Sequence, residues 1–338
     1  MTNGKSSLTP QKSEKIYVLS FFMMLGIVWT HSRLPNWEMV PDYFHQLAIF
    51  NEIGEDAVGP FFLITGFLFF RTFHIKGYFD KIRTRWHTLI LPYLIWNIIG
   101  ALTWYVAIHI SGNRFICDGF SFDTLGEVIG NILACKYTVL WYVGVIIVYA
   151  FASPVFYYLV RNKRRAIFSI VLFFIIGISF HHPFCSPLAW MSIYMLGAFL
   201  GVYYKDFLFK PQPSWLTWLG IISFPFSVWF DHEYDNMLTV ILRQWLSVFF
   251  YIGLYDLINH FIHFAPHRVY KYSFFLYATH YFFLHICQRY VLISMDDLYA
   301  CWIAYLFVPP LVVVVCVSIG YILDKKSHQL YCILSGNR

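Results

Sequence analysis

No Asp, Glu, Lys or Arg occurs between Asp297 and Asp324, an interval that contains the run Val312-Val313-Val314-Val315. Similar charge gaps lie between Lys15 and Arg33, Asp56 and Arg71, His87 and Arg114, Lys136 and Arg161, and Lys210 and Asp231. Two more are interrupted once, Asp235 to Asp256 by Arg243 and Lys271 to Asp296 by Arg289. The longest, Arg165 to Lys205, is split by His181-His182-Pro183 and Pro187. An apolar run of about 20 residues matches the depth of a bilayer, where only helices and closed barrels satisfy their own backbone. A barrel needs short alternating segments, and Phe168 to Ile178 does not alternate. The gaps therefore read as transmembrane helices, about ten with the long interval counted twice. The Asp56 gap is short, so that span tilts little or continues into buried loop.

Composition agrees. Only 12% of the 338 residues are charged, 59% are hydrophobic and 22% are aromatic. One water-soluble core cannot hide that much apolar surface, and disordered or disulfide-framework readings are excluded. Basic residues set the orientation. With the N-terminus in the cytoplasm, the outer loops keep only Arg33, Arg114 and Lys136 of the 24 basic residues, while Arg243 and Arg289 lie within spans. Acidic residues fall the other way, 13 of 18 outside. The net charge of +6 is then a topology signal, with no call for nucleic acid. The expectation is an all-α polytopic membrane protein of about ten helices in one bundle, both termini cytoplasmic. It comprises a lead over 1–15, a membrane domain over 16–323 and a tail over 324–338. The polar lead has no small-residue cleavage site and does not read as a removed signal peptide.

Seven cysteines are scattered without a C-x-x-C pair, and no His/Cys/carboxylate spacing makes a ligand set, so no metal and no bound cofactor is expected. Cys117 and Cys135 share the predicted outer side, either as a disulfide or as two thiols.

Ionisable residues inside spans are costly and mark functional candidates. His31 closes the first span, as an interfacial residue or as a general base. The ninth span carries Tyr277, His280, His285 and Arg289, with Tyr277, His280 and Leu284 on one helical face. Arg243 either snorkels or serves a site. Glu55 and Asp56 form a solvated acidic loop or supply a carboxylate that orients His31. Lys81, Arg83 and Arg85 lie in the densest cationic segment, Arg71 to His87, which is plain positive-inside topology or a phosphate site. Thr65-Gly66 allows close helix packing. There is no P-loop, dinucleotide fingerprint, H-E-x-x-H or G-x-S-x-G.

Taken in order, the motifs resemble the membrane-bound acyltransferase 3 family. Gly26 to His31 resembles its opening span. Phe61 to Leu68 (FFLITGFL) resembles its FFLISGFL signature, and Leu89 to Trp96 after the basic loop resembles its IPYLIW stretch. Leu140 to Val143 resembles LWFL, Tyr194 to Gly201 resembles FLLGYFLG, and Tyr272 to His280 resembles SFGIYLLH. Many members carry an Arg eleven residues before the histidine, where this chain has Ser20; Lys15 is the nearest cation.

The resemblance implies an integral membrane O-acyltransferase. It would move an acyl group, most often acetyl, from a cytoplasmic thioester such as acetyl-CoA to a hydroxyl of a sugar or lipid-linked envelope glycan. The family setting implies the bacterial inner membrane. By similarity His31 matches the family's histidine, and Arg83 and Arg85 its basic pair. Within that scheme Glu55 or Asp56 holds the imidazole. Thr65, Trp141, Tyr277 and His280 are candidates for the oxyanion or the acceptor, and Lys81, Arg83 and Arg85 grip the donor. The competing readings are a proton-coupled transporter or flippase, which fits intramembrane His and Arg, and a non-catalytic membrane partner of a glycan assembly complex. Against the carrier stands the lack of symmetry between the chain's halves.

Overall fold

The structure is a computed structural model that describes residues 10–32, 49–111, 122–179, 186–234, 236–264, 268–287 and 298–337. It is all-helical among those residues. In chain order the helices are α1 (Pro10–Thr30), α2 (Ile49–Glu55), α3 (Val58–Arg71), α4 (Tyr78–Arg85), α5 (Leu91–Ser111), α6 (Leu125–Leu133), α7 (Trp141–Phe151) and α8 (Ser153–Val160). They continue as α9 (Lys163–Ser179), α10 (Pro187–Tyr203), α11 (Ser214–Tyr234), α12 (Met237–Ile262), α13 (Ser273–Cys287), α14 (Leu298–Lys326) and α15 (His328–Ser335).

Each charge gap holds a helix, because charged residues resist entry into an apolar phase and collect at helix ends. Four helical stretches among the described residues are long and apolar enough to cross a membrane: Ile53–Arg71, Ile75–His109, Met237–Ile262 and Ile303–Lys326. The pair α7 and α8, bent by 66°, makes a fifth if read as one broken span. Pro154 sits at the start of α8, where its missing N–H costs nothing, and ends any straight continuation of α7.

By contact the chain divides into two compact units: Met1–Gly26, Glu52–Lys81 and Val148–Tyr270 form the first; Ile27–Asn51, Ile82–Ile147 and Lys271–Arg338 form the second. The charge gaps do not foretell this division.

In the first unit α3 packs along α10 through small residues. A β-carbon on Gly66 would fall on the Tyr194 backbone, one on Gly197 on Leu63, and one on Gly201 on Phe67. Lipid tails are as apolar as the helices, so close backbone approach and dispersion contacts hold them together. Around this seam Phe62 stacks on Trp190 at 4.9 Å, and the Tyr149 ring lies tilted against that of Tyr194 at 4.5 Å. The Tyr149 hydroxyl donates to the Pro187 carbonyl. Helix α12 joins α3 where the Gly59 N–H donates to Gln244 Oε1 at 3.0 Å. At the start of α1, Lys15 Nζ pairs with Asp256 at 2.5 Å.

In the second unit α13 packs on α14, and α15 packs on α14 and α5. Residues 134–140 lie between α6 and α7 outside regular helix, yet their region's carbonyls have donors: Tyr93 OH on Leu133 at 2.8 Å, Trp104 Nε1 on Tyr137 at 2.8 Å, and Tyr277 OH on Val139 at 2.7 Å. Non-helical backbone inside a membrane domain persists only when neighbours satisfy it in this way. A π turn over Trp86–Ile90 joins α4 to α5. Pro92 has no N–H to offer an α-type bond, and the wider turn absorbs the mismatch.

Candidate functional site

Helix α1 stops at Thr30 in a tightened turn. The His31 N–H reaches Ile27 O at 3.2 Å, the Ser32 N–H reaches Trp29 O at 3.0 Å, and Ser32 Oγ donates to the same carbonyl at 2.6 Å. Carbonyls that a helix end leaves open are thereby taken up. Thr30 Oγ1 donates to the Asn51 carbonyl at 2.7 Å, tying the helix end to α2. His31 is therefore a half-buried imidazole held on a fixed turn.

Helix α13 brings His280 to it. The two imidazole centroids lie 5.4 Å apart, and the Tyr281 ring stands edge-on to His31 at 5.9 Å. His280 is fully buried. Its Nδ1 lies 2.9 Å from the Tyr277 carbonyl and 3.1 Å from that of Leu276. Carbonyls only accept, so Nδ1 carries the proton and Nε2 keeps a lone pair. That Nε2 is buried with no hydrogen-bond partner. In this tautomer His280 can accept a hydrogen bond; it cannot donate to an oxyanion.

Asn51 is the residue that sequence reasoning missed. It is 1% exposed. Tyr305 OH donates to its Oδ1 at 2.8 Å, which orients the amide, and its Nδ2 is buried without a partner. Unsatisfied buried polar atoms are few in native folds and call for an explanation. Here a donor and an acceptor of that kind belong to Asn51 and His280, both of which touch the His31 segment. The available signal was slight: Asn51 is uncharged in a polar stretch, and Tyr305 passes for one more aromatic in a span.

Tyr277 lies in α13 with its hydroxyl committed to Val139 O. His285, half-buried one turn beyond Tyr281, packs edge-on against Tyr281 at 4.3 Å and Trp104 at 5.1 Å. Trp141 is the first residue of α7 and half-buried. Arg83 and Arg85 close α4, Arg83 exposed and Arg85 half-buried.

The other candidates lie in the first unit. Asp56 is fully buried, and its Oδ1 accepts from Arg243 Nε at 2.9 Å and Gln244 Nε2 at 2.6 Å. Arg243 is buried as well, so it does not snorkel. Glu55 ends α2 half-buried, and Thr65 is half-buried in α3. Lys81 Nζ donates to Thr72 Oγ1 at 3.0 Å and lies over the Phe69 ring. Arg289 and Cys117 fall outside the described residues. Cys135 is a buried free thiol beside Thr138, and burial pushes it up to about 11. Among the described residues no three His, Cys, Asp or Glu side chains form a metal-holding group.

No curated protein and no solved structure matches the chain. A family model does: the acyltransferase 3 model, described as an acyltransferase domain, matches residues 17–322. That match covers nearly the whole chain, and the protein belongs to the acyltransferase 3 family of membrane acyltransferases.

Proposed function

We propose that the protein transfers an acyl group, in the first instance acetyl, from a cytoplasmic acyl-CoA to a hydroxyl of a sugar or cell-envelope glycan. It does so as a ten-span protein with both termini in the cytoplasm, in a bacterial inner membrane. The observation that carries the reading is the cluster at the end of α1: His31 against His280, whose buried Nε2 is open, beside Asn51, whose buried amide N–H₂ is open.

His31 takes the proton from the attacking hydroxyl as its oxygen bonds to the thioester carbonyl carbon. Asn51 Nδ2 donates to the oxyanion that forms. His280 Nε2 accepts from a second hydroxyl of the sugar and sets its pose. As the tetrahedral species collapses, the C–S bond breaks and the proton passes from His31 to the departing thiolate. Arg83 and Arg85 pair with the donor's phosphates. General-base help is worth about 10²–10⁴-fold and one oxyanion donor about 10²–10³-fold in kcat.

The test uses purified protein in nanodiscs with radiolabelled acetyl-CoA and a crude extract of envelope glycans. Label on glycan, with matching release of CoA thiol, is expected for the wild type. His31→Ala should abolish it, and Asn51→Ala should cut kcat by about 10²-fold or more. Full activity in folded His31→Ala would sink the base assignment. No donor consumption by folded wild type would reject acyl-CoA as the donor.

A further inference from the structure

A second cluster of reactive side chains lies where α14 passes into α15. Asp324, His328 and Cys332 are spaced four apart, across a break at Ser327 where the backbone leaves helical geometry (φ −146°, ψ 74°). His328 Nδ1 lies 2.8 Å from Asp324 Oδ1, and His328 Nε2 lies 3.4 Å from Cys332 Sγ. An ionised carboxylate only accepts, so Nδ1 carries the proton and Nε2 is left to accept from the thiol. The other carboxylate oxygen takes hydrogen bonds from Lys271 Nζ at 2.5 Å and Tyr272 OH at 3.0 Å.

A His–Asp pair alone on a helix surface would be a weak ion pair. This one is anchored at its acid end and carries a thiol at the other. Nucleophile, base and orienting carboxylate in series are recognised by these roles, whatever the fold. The element bearing the thiol is also firmly seated. Trp96 Nε1 donates to Leu334 O at 2.9 Å, and Tyr331 is buried against Tyr272 and Phe275. Gly336, at φ +70°, lies against the Thr88 backbone so closely that a β-carbon would meet its carbonyl. Helix α15 thus rests on the π turn that directly follows Arg83 and Arg85. Cys332 is half-buried and His328 exposed, so a small acyl thioester can reach the sulfur.

We propose that Cys332 is an acyl-accepting thiol, activated by His328 and Asp324, that takes an acyl group from an acyl thioester. The Cys332 sulfur bonds to the thioester carbonyl carbon while its proton passes to His328 Nε2. The donor's C–S bond then breaks, and the same proton goes to the departing thiolate. One thioester is exchanged for another, with no change of oxidation state. The identity of the donor rests on the proposed function, whereas the reactivity of the thiol does not.

The test therefore has two arms on the purified full chain. In the first, iodoacetamide alkylation of Cys332 is timed by peptide mass spectrometry in the wild type and in His328→Ala, with Cys287 as the internal reference. Alkylation about tenfold or more slower in the variant, at Cys332 only, is expected. Equal rates would overturn the proposal. In the second arm, acetyl-CoA and the N-acetylcysteamine thioester are supplied separately. The Cys332 peptide should gain one acetyl group that neutral hydroxylamine removes. Cys332→Ala should lack it, and His328→Ala should form it about 10²-fold more slowly. Labelling by the small thioester alone keeps the thiol assignment and removes CoA as donor. Glycan labelling with Cys332 unacylated by either donor would refute the thiol assignment and leave the proposed function standing.

Discussion

Replacing Arg243 by Met removes the guanidinium paired with Asp56, whose side chain is fully buried. At 2.9 Å and an effective dielectric of about 20, the two charges attract by about 6 kcal/mol. Desolvation costs several kcal/mol per ion, so the pair contributes little net stability. Removing one partner is a different matter: the remaining charge keeps its desolvation cost and loses its attraction, a loss of about 3–5 kcal/mol. Gln244 still donates to Asp56 at 2.6 Å, which favours the lower end of that range. At 1.4 kcal/mol per decade, the folded-to-unfolded ratio should fall by about two to four decades. Arg243→Met with Asp56→Asn removes both charges and should recover about 2 kcal/mol of the loss. Reversible unfolding in mixed micelles across the four members of the cycle measures this directly. A wild-type midpoint for Arg243→Met, or strictly additive single effects, would refute the reasoning. Loss of acyl transfer at unchanged stability would move the pair from holding the α2–α3 junction against α12 into the chemistry.

Three further outcomes are expected. Arg83→Ala with Arg85→Ala should raise KM for the acyl donor and leave kcat largely intact, read from initial rates at varied donor; an unchanged KM rejects the phosphate role. Because burial raises the Cys135 thiol to about 11, its reactive thiolate is scarce at neutral pH. Maleimide labelling of Cys135 should be slow at pH 7–8 and climb as pH approaches 11, and rapid labelling at pH 7 would contradict that burial. Gly197→Val should cost about 1–3 kcal/mol through overpacking against the Leu63 backbone, while Gly130→Val, in open space, should unfold like the wild type.

Helix positions were legible in the sequence because the cost of burying charge is read one residue at a time. Lys210 and Asp231, or Asp297 and Asp324, mark where an apolar helix runs and need no knowledge of its neighbours. The bend at Ala152 was less visible, since Ser153-Pro154 sits inside a charge-free interval and was passed over as part of one span. His31 and His280 could be picked out singly as intramembrane imidazoles, but their contact depends on how α1 and α13 pack. The same holds for Asp56 and Arg243: the first reads as part of an acidic loop or a partner for His31, the second as a charge within a span, and neither points to the other. Asn51 was invisible for a further reason. An amide has no charge to betray it, and which way it faces depends on Tyr305 engaging its oxygen, a contact that only the packing reveals.

Placing His31 one residue beyond a helix end makes its position a matter of phase. A residue inserted between Gly26 and Thr30 would turn the imidazole by about 100° about the helix axis and shift it by about 1.5 Å. The side chain would be unaltered, yet it would face away from His280 and from the Thr30–Asn51 tie. A deletion would do the same in the opposite sense. The distal half of α1 is therefore intolerant of changes in length even where it accepts changes of apolar side chain. Length variation among functional versions of this chain belongs ahead of α1, where an added residue leaves both the Lys15–Asp256 tie and the histidine's angle untouched.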